Sequence, residues 1–516
     1  MFYFNESAGI SSLDPAFARD NANIWAVNQL FNGLVQTDSN MNITPCIAHS
    51  WEISGDGKVY TFHLRNDVYF HDDDVFPQHK GRKVVAADFI YSFNRLADPL
   101  VAASGSWVMG QVAVDEYNKH LAISASDDST LEIRLKKNHP PFISMLAMQY
   151  CCVVPGEAII KYGKDFRSHP VGTGPFRFSY WKESEQLVLL RNEHYFEKEN
   201  GIQLPFLDAI SISFIRDKQA AFMEFLQGRL DFISGLDASF RDALLTPDGK
   251  LMKNFRGKFE LQIHPYLNTE YLGFLMESSP GEKELQPLQQ KKIRQALNMG
   301  FDRQLMITYL RNGIGISGLH GFVPYGISSF NPEKVEGYHY DPIAVKRLLT
   351  EAGFPDGVGL PEISLSTTGS YLDLCQFMQK QLSVFGIKIK LDVNQPGQHR
   401  ELVSKQKLKF FRGSWVADYA DPENYLAVFY SKNFAPSGPN YTHYNNPHFD
   451  SLYEHAMSER IDSIRMNLYS EMDQTVMEDA PVIVLYYDQI VRLIQRGITD
   501  VGINSSNLLT LKRCRK

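Results

Sequence analysis

Phe410-Phe411-Arg412-Gly413-Ser414-Trp415-Val416-Ala417-Asp418-Tyr419-Ala420-Asp421-Pro422-Glu423-Asn424-Tyr425-Leu426 joins an apolar lead-in to an arginine, a tryptophan and an aspartate in one short run. Charges rarely stand so close to apolar strand residues without a partner, so the run reads as a strand ending in a binding cleft. A small zwitterion such as a peptide would complement it. Asp421-Pro422 reads as a helix N-cap with proline at the first helical position, and so not as half of an acid/base pair.

The surrounding chain has 516 residues, too many for one compact core, and two or three lobes are expected. Hydrophobic residues make up 44% and charged residues 22%, with no low-complexity tract and no apolar run long enough to span a bilayer. The net charge is −7 and Lys/Arg form no block, so nucleic acid is not an expected partner. The cysteines Cys46, Cys151, Cys152, Cys375 and Cys514 are odd in number and lack CxxC spacing; neither a disulfide framework nor a zinc site is legible. Cys151-Cys152 reads as part of a buried strand. Met1 is followed at once by strand-like Phe2-Tyr3-Phe4, with no charged and apolar leader before it.

Outward from the opening run, helices and strands alternate. Ser54-Gly55-Asp56-Gly57 before alternating Val59 to Leu64 predicts a hairpin. Helical spacing marks Val84 to Leu96, Asp217 to Gly228 and Ile293 to Leu310. The clearest helix starts at Asp341, an N-cap followed by Pro342, and ends at Gly353. Strands are expected at 187–191, 259–266, 363–366, 387–393 and 482–487. This order predicts mixed α/β lobes.

The sequence carries no recognisable catalytic constellation. His71-Asp72-Asp73-Asp74 resembles a ligand run, but successive strand residues face opposite ways, and a solvated turn is the better reading. Val171-Gly172-Thr173-Gly174-Pro175 lacks the lysine and helix of a phosphate loop and reads as a turn permitting close backbone packing. GxSxG and HExxH are absent. Asp418 with Asp421, or Glu478 with Asp479, is better explained by caps and turns than by glycosidase-like catalysis. No enzyme activity, metal or cofactor is expected. Aromatic residues, at 12%, are the abundant resource, and Trp107, Trp415, Tyr266, Tyr271, Tyr371 and Tyr419 fall where a ring can line a pocket.

The chain resembles, from end to end, the family 5 extracellular solute-binding proteins, the dipeptide- and oligopeptide-binding components of ABC importers. The segments that carry this include SLDPAFA (12–18), NQLFNGLVQTD (28–38), IAHSWEISGDGKVYTFHLRNDVYFHD (47–72), VGTGPFRFSYW (171–181), IRQALNMGFDR (293–303), YDPIAVKRLLTEAGF (340–354) and GSWVADYADPENYL (413–426). Two departures stand out: the loop DDDVFPQHKGRK after His71 is longer than the usual HDG turn, and the region around Leu372 is apolar.

The resemblance implies an α/β, type II (cluster C) periplasmic binding protein, with two hinged lobes and an extra small subdomain. Lobe I would comprise 1–44, 169–264 and 485–516, the small subdomain 45–168, and lobe II 265–484. It further implies a monomeric receptor that captures short peptides by lobe closure and delivers them to membrane-embedded ABC permease subunits. Such a protein is periplasmic or a membrane-anchored extracytoplasmic lipoprotein, its signal lying before Met1. Asp418 would receive the ligand's α-ammonium, Trp415 would wall a side-chain pocket, and Arg412 would face a C-terminal carboxylate or pair with Asp418. Asn268, Tyr271, Tyr371, Tyr419, Trp107, Arg19 and Asn21 complete the expected ligand contacts, with the stretch Asn268 to Leu272 offering main-chain hydrogen bonds to an extended peptide. The same fold also serves non-peptide ligands such as a nickel chelate, haem or a sugar.

Overall fold

The structure is a computed structural model, and it describes residues 1–116, 119–277, 287–327 and 329–516. The chain divides into two compact units, 1–241 with 253–264 and 490–516, and 242–252 with 265–489. Two unit boundaries fall inside long strands, between His264 and Pro265 in Phe259–Phe274 and between Gln489 and Ile490 in Val482–Gln495.

In the first unit Phe2–Asn5 lies parallel to Ala209–Ser213 and to Phe232–Ser234. Gln186–Arg191 extends the sheet antiparallel to Ala209–Ser213, and Phe176–Lys182 forms its edge. Phe2, Phe4, Trp25 and Phe232 pack their rings into the core beneath it. The predicted hairpin is present as Ala48–Ile53 and Val59–Leu64, within a four-stranded antiparallel sheet completed by Thr130–Arg134 and Ile123–Asp127. Helix Ala86–Ala97 buries Phe89, Phe93 and Leu96, the face its spacing predicted. The glycines of Val171–Pro175 permit close packing as expected: a Cβ on Gly172 would stand 2.0 Å from the Leu30 carbonyl oxygen.

In the second unit Ile363–Thr368 runs parallel to Ile389–Asn394 and to Phe410–Val416. Phe410–Val416 pairs antiparallel with Asn268 to Phe274, so its next neighbour is the strand Phe259–Phe274. Helices Lys291–Met299, Arg303–Arg311, Pro342–Glu351 and Leu372–Ser383 cover this sheet, and their apolar faces supply Ile293, Leu297, Ile307, Val345, Leu349 and Met378 to one core. The Asp341 side chain accepts from the Ile343 and Ala344 amides, as its position before Pro342 predicted.

Three expectations need correction. The periodic run Ile293 to Leu310 is two helices, because Phe301 is drawn fully into the core and Asp302 caps a new helix through the Leu305 amide. Cys151 and Cys152 are buried, but Gln149–Cys151 is a 3-10 turn rather than a strand. His71 is not part of a solvated turn: its ring is buried and its Nε2 lies 2.9 Å from the Gly174 carbonyl, with burial pushing its pKa down to about 4. The acidic residues after it do form a surface loop, with Asp72 bound to Lys80 and Asp74 to His79.

Candidate ligand-binding site

The strand Phe410–Val416 brings Arg412 and Trp415 to the second unit, and Asp418 follows just past its end. Asp418 is exposed to solvent, yet desolvation by its surroundings raises its carboxyl pKa, with a hydrogen bond from Asn424 acting against the rise. Among the described residues no cation pairs with it. A carboxylate hemmed in by protein and lacking a counter-charge favours an incoming cation.

Asp418 stands on a rigid turn. The Asp421 carboxylate accepts from the Glu423 amide at 2.9 Å and opens the short helix Glu423–Leu426. Glu423 is buried and accepts hydrogen bonds from the hydroxyls of Tyr419 and Tyr453. Behind them Arg465 lies 3.7 Å from Asp421 and 2.8 Å from Asp462. Trp415 is half-buried, and its indole N–H donates to Asn424 at 3.0 Å, so its ring is held beside the Asp418 turn.

Arg412 is neither a free cation nor a partner of Asp418. It forms an ion pair with buried Glu270, while the Tyr371 ring lies 3.4 Å from its guanidinium carbon and the Tyr371 hydroxyl donates to Glu270 at 3.3 Å. Burial raises the Glu270 carboxyl pKa and Arg412 pulls it back. Asn268 joins the same network, donating to Glu270 at 3.1 Å and to Asp488 at 3.4 Å, and Asp488 in turn pairs with Arg311 at 2.6 Å. Glu270 and Asp488 therefore offset Arg412 and Arg311. Glu270 has a sequence signal, a carboxylate in the middle of the otherwise uncharged run Leu267 to Phe274.

Other expected contacts separate into core and surface. Tyr271 is 4% exposed, packs on Phe322 and stands where a Gly413 side chain would be, so it is a core residue rather than a ligand wall. Tyr419 is likewise buried, its hydroxyl committed to Glu423. The stretch Asn268 to Leu272 is an inner part of the sheet, registered from Val416 to Arg412 on one side and adjoining Val482–Gln495 on the other. Its ladder positions are taken, and a peptide cannot add to it as a strand. Trp107, Arg19 and Asn21 belong to the first unit: Trp107 and Arg19 are exposed, and Asn21 opens the helix Asn21–Leu30 behind the Asp20 cap. No group of three His, Cys, Asp or Glu residues among the described residues is arranged to hold a metal.

A family model described as bacterial extracellular solute-binding proteins, family 5 middle, matches residues 42–437. The chain belongs to this family. Heme-binding protein A of Haemophilus influenzae is 29% identical over 88% of this chain and 80% of its own length. Glutathione-binding protein GsiB of Salmonella choleraesuis is 25% identical over 96% of this chain and 90% of its own. Among solved structures, the ABC transporter-associated periplasmic binding protein DppA from Helicobacter pylori, in complex with the peptide STSA, aligns with a TM-score of 0.75 and 25% identity, covering 99% of this chain and 98% of that one. The fold is accordingly the bilobed periplasmic-binding-protein fold, and the protein is an extracytoplasmic binder of solutes rather than an enzyme.

Proposed function

We propose that this family 5 protein captures short peptides with a free N-terminus and delivers them to an ABC permease. One observation carries the reading: Asp418, just past the end of Phe410–Val416 and without a cation partner among the described residues, offers an uncompensated carboxylate to an α-ammonium group. A charge-assisted hydrogen bond is stronger than its neutral counterpart, so a free N-terminus is favoured over a blocked one. Trp415 walls the first side-chain pocket. Arg412, held by Glu270, presents a neutralised pair and so favours neutral ligand groups over a free carboxylate. The peptide complex of the Helicobacter pylori relative supports the ligand class.

The finer architecture belongs to the same proposal. It is a type II, cluster C receptor, in which 1–44, 169–264 and 485–516 form lobe I, 45–168 a small subdomain and 265–484 lobe II. Rotation at the crossing strands closes the lobes on the ligand, with Trp107, Arg19 and Asn21 contributing from lobe I. The protein works as a monomer in the periplasm or as a lipid-anchored form, without nucleic acid.

A second reading takes haem as the ligand, as the name of the Haemophilus influenzae relative describes for that protein. Native mass spectrometry of the purified protein, combined with a thermal-shift panel of peptides, glutathione and haem, separates the two. Retained peptide masses and stabilisation by free-terminus peptides support the first; stabilisation by haem alone overturns it. A ligand at 100 times its dissociation constant contributes about 2.7 kcal/mol, which such a panel resolves.

A further inference from the structure

We propose that Asn424 is the positioning residue of this site, a single buried amide that fixes the Trp415 ring and the Asp418 backbone relative to one another. The proposal rests on the assignment of Asp418 and Trp415 to ligand binding. The Asn424 side-chain oxygen accepts from the Trp415 indole N–H at 3.0 Å and from the Asp418 backbone N–H at 3.3 Å. One acceptor atom thus ties a ring at the end of a strand to a carboxylate-bearing residue in the following turn. The residue is 4% exposed, so neither bond is exchanged readily for water.

Its own position is fixed from below. The Asn424 amide donates to the Asp421 carbonyl at 3.0 Å, and the flanking Glu423 is locked by the Tyr419 and Tyr453 hydroxyls. The acceptor oxygen is therefore set by groups that do not belong to the ligand surface. A neutral amide suits the task better than a charged residue. It accepts from the Asp418 backbone N–H and leaves the carboxylate's charge for an incoming ammonium, whereas a lysine here would pair with Asp418 and an aspartate would repel it. Serine lacks the reach for both acceptor contacts together.

The test uses full-length protein labelled with 5-fluorotryptophan, whose five tryptophans give a tractable 19F spectrum, with the Trp415 line assigned by W415F. Wild type, N424A, N424D and D418N are compared by 19F NMR across an acid-to-neutral titration, and by calorimetry with a free-terminus tripeptide. In wild type the Trp415 line titrates with Asp418, and D418N abolishes that step. N424A moves the line, removes its titration and weakens the peptide at least about tenfold, equivalent to about 1.4 kcal/mol. N424D keeps the acceptor oxygen, holds the line near its wild-type position at neutral pH and shifts the titration upward. An unmoved Trp415 line in folded N424A, or unchanged peptide affinity beside a peptide-binding wild type, overturns the positioning role. Should N424A fail to fold, N424D alone decides, since a titration left in place contradicts the proposal. If the Trp415 line responds as described while wild type binds no peptide, the peptide reading fails and the positioning role stands.

Discussion

Arg412 and Glu270 form a buried ion pair across adjacent strands of the second unit, with the Tyr371 ring lying against the guanidinium. The two residues are 142 positions apart, and their diagonal placement in the register of Leu272 opposite Arg412 brings them together. A cation that the sequence left facing either a ligand carboxylate or Asp418 is neutralised by Glu270 in the fold.

Removing one member leaves the other charge buried. Glu270→Gln and Arg412→Met are each expected to destabilise the protein by about 3–5 kcal/mol, whereas the double substitution costs less than the sum. Urea unfolding of the four proteins gives the coupling energy. Additive effects would contradict a direct pair.

Asp473 makes stability depend on pH. Its buried carboxyl accepts from the Phe322 and Val323 amides, and burial raises its pKa to about 7 against those hydrogen bonds. Below the unfolded value of 3.8 it is protonated in both states, and as pH rises the unfolded chain loses its proton first. The stabilisation is therefore full below about pH 4 and is lost as pH rises through about 7. Melting temperatures of wild type should fall relative to Asp473→Asn across that window. Parallel curves would assign the carboxyl an ordinary pKa.

Arg492 ties the C-terminal segment to the first unit. Its fully buried guanidinium donates to the Gly502 carbonyl at 2.9 Å and to the Asn507 side chain at 3.0 Å, between the rings of Trp25 and Phe232. Arg492→Met strands those carbonyls and should cost about 3 kcal/mol. Limited proteolysis should then cut first between 496 and 510. Unchanged cleavage would show that the segment is held by other contacts.

Gly172 tests the close packing read from its sequence context. Gly172→Ala forces a methyl onto the Leu30 carbonyl and should cost about 1–3 kcal/mol or more. Gly110→Ala, where nothing lies within 4 Å of the added methyl, should stay within about 0.5 kcal/mol. Equal thermal shifts for the two variants would refute the packing argument.

These residues also show what local sequence encodes. The Asp341-Pro342 helix start, the Ser54 to Gly57 hairpin and the Gly172 turn depend on neighbours a few positions away, and each was legible. The place of Asp418, just past the end of an apolar strand that carries Trp415, was legible for a similar reason. The partner of Arg412 was not, because the strand register that brings Glu270 near it is set by tertiary packing. The break at Phe301 was hidden for the converse reason: apolar spacing continues through it, and only the depth of the core reveals that the chain must turn. Tyr271 and Tyr419 carry the same side chain as Tyr371, and burial alone separates them from it.

The role proposed for Asp418 is to receive a ligand ammonium group. Isothermal titration of one tripeptide in free and N-acetylated forms, against wild type and Asp418→Asn, measures it directly. The free peptide should bind wild type about 10–100-fold more tightly than the acetylated one, the worth of a charge-assisted hydrogen bond of about 1.5–3 kcal/mol, and Asp418→Asn should erase the difference. Equal binding of the two peptides by wild type, or a preference that survives Asp418→Asn, would contradict the assignment.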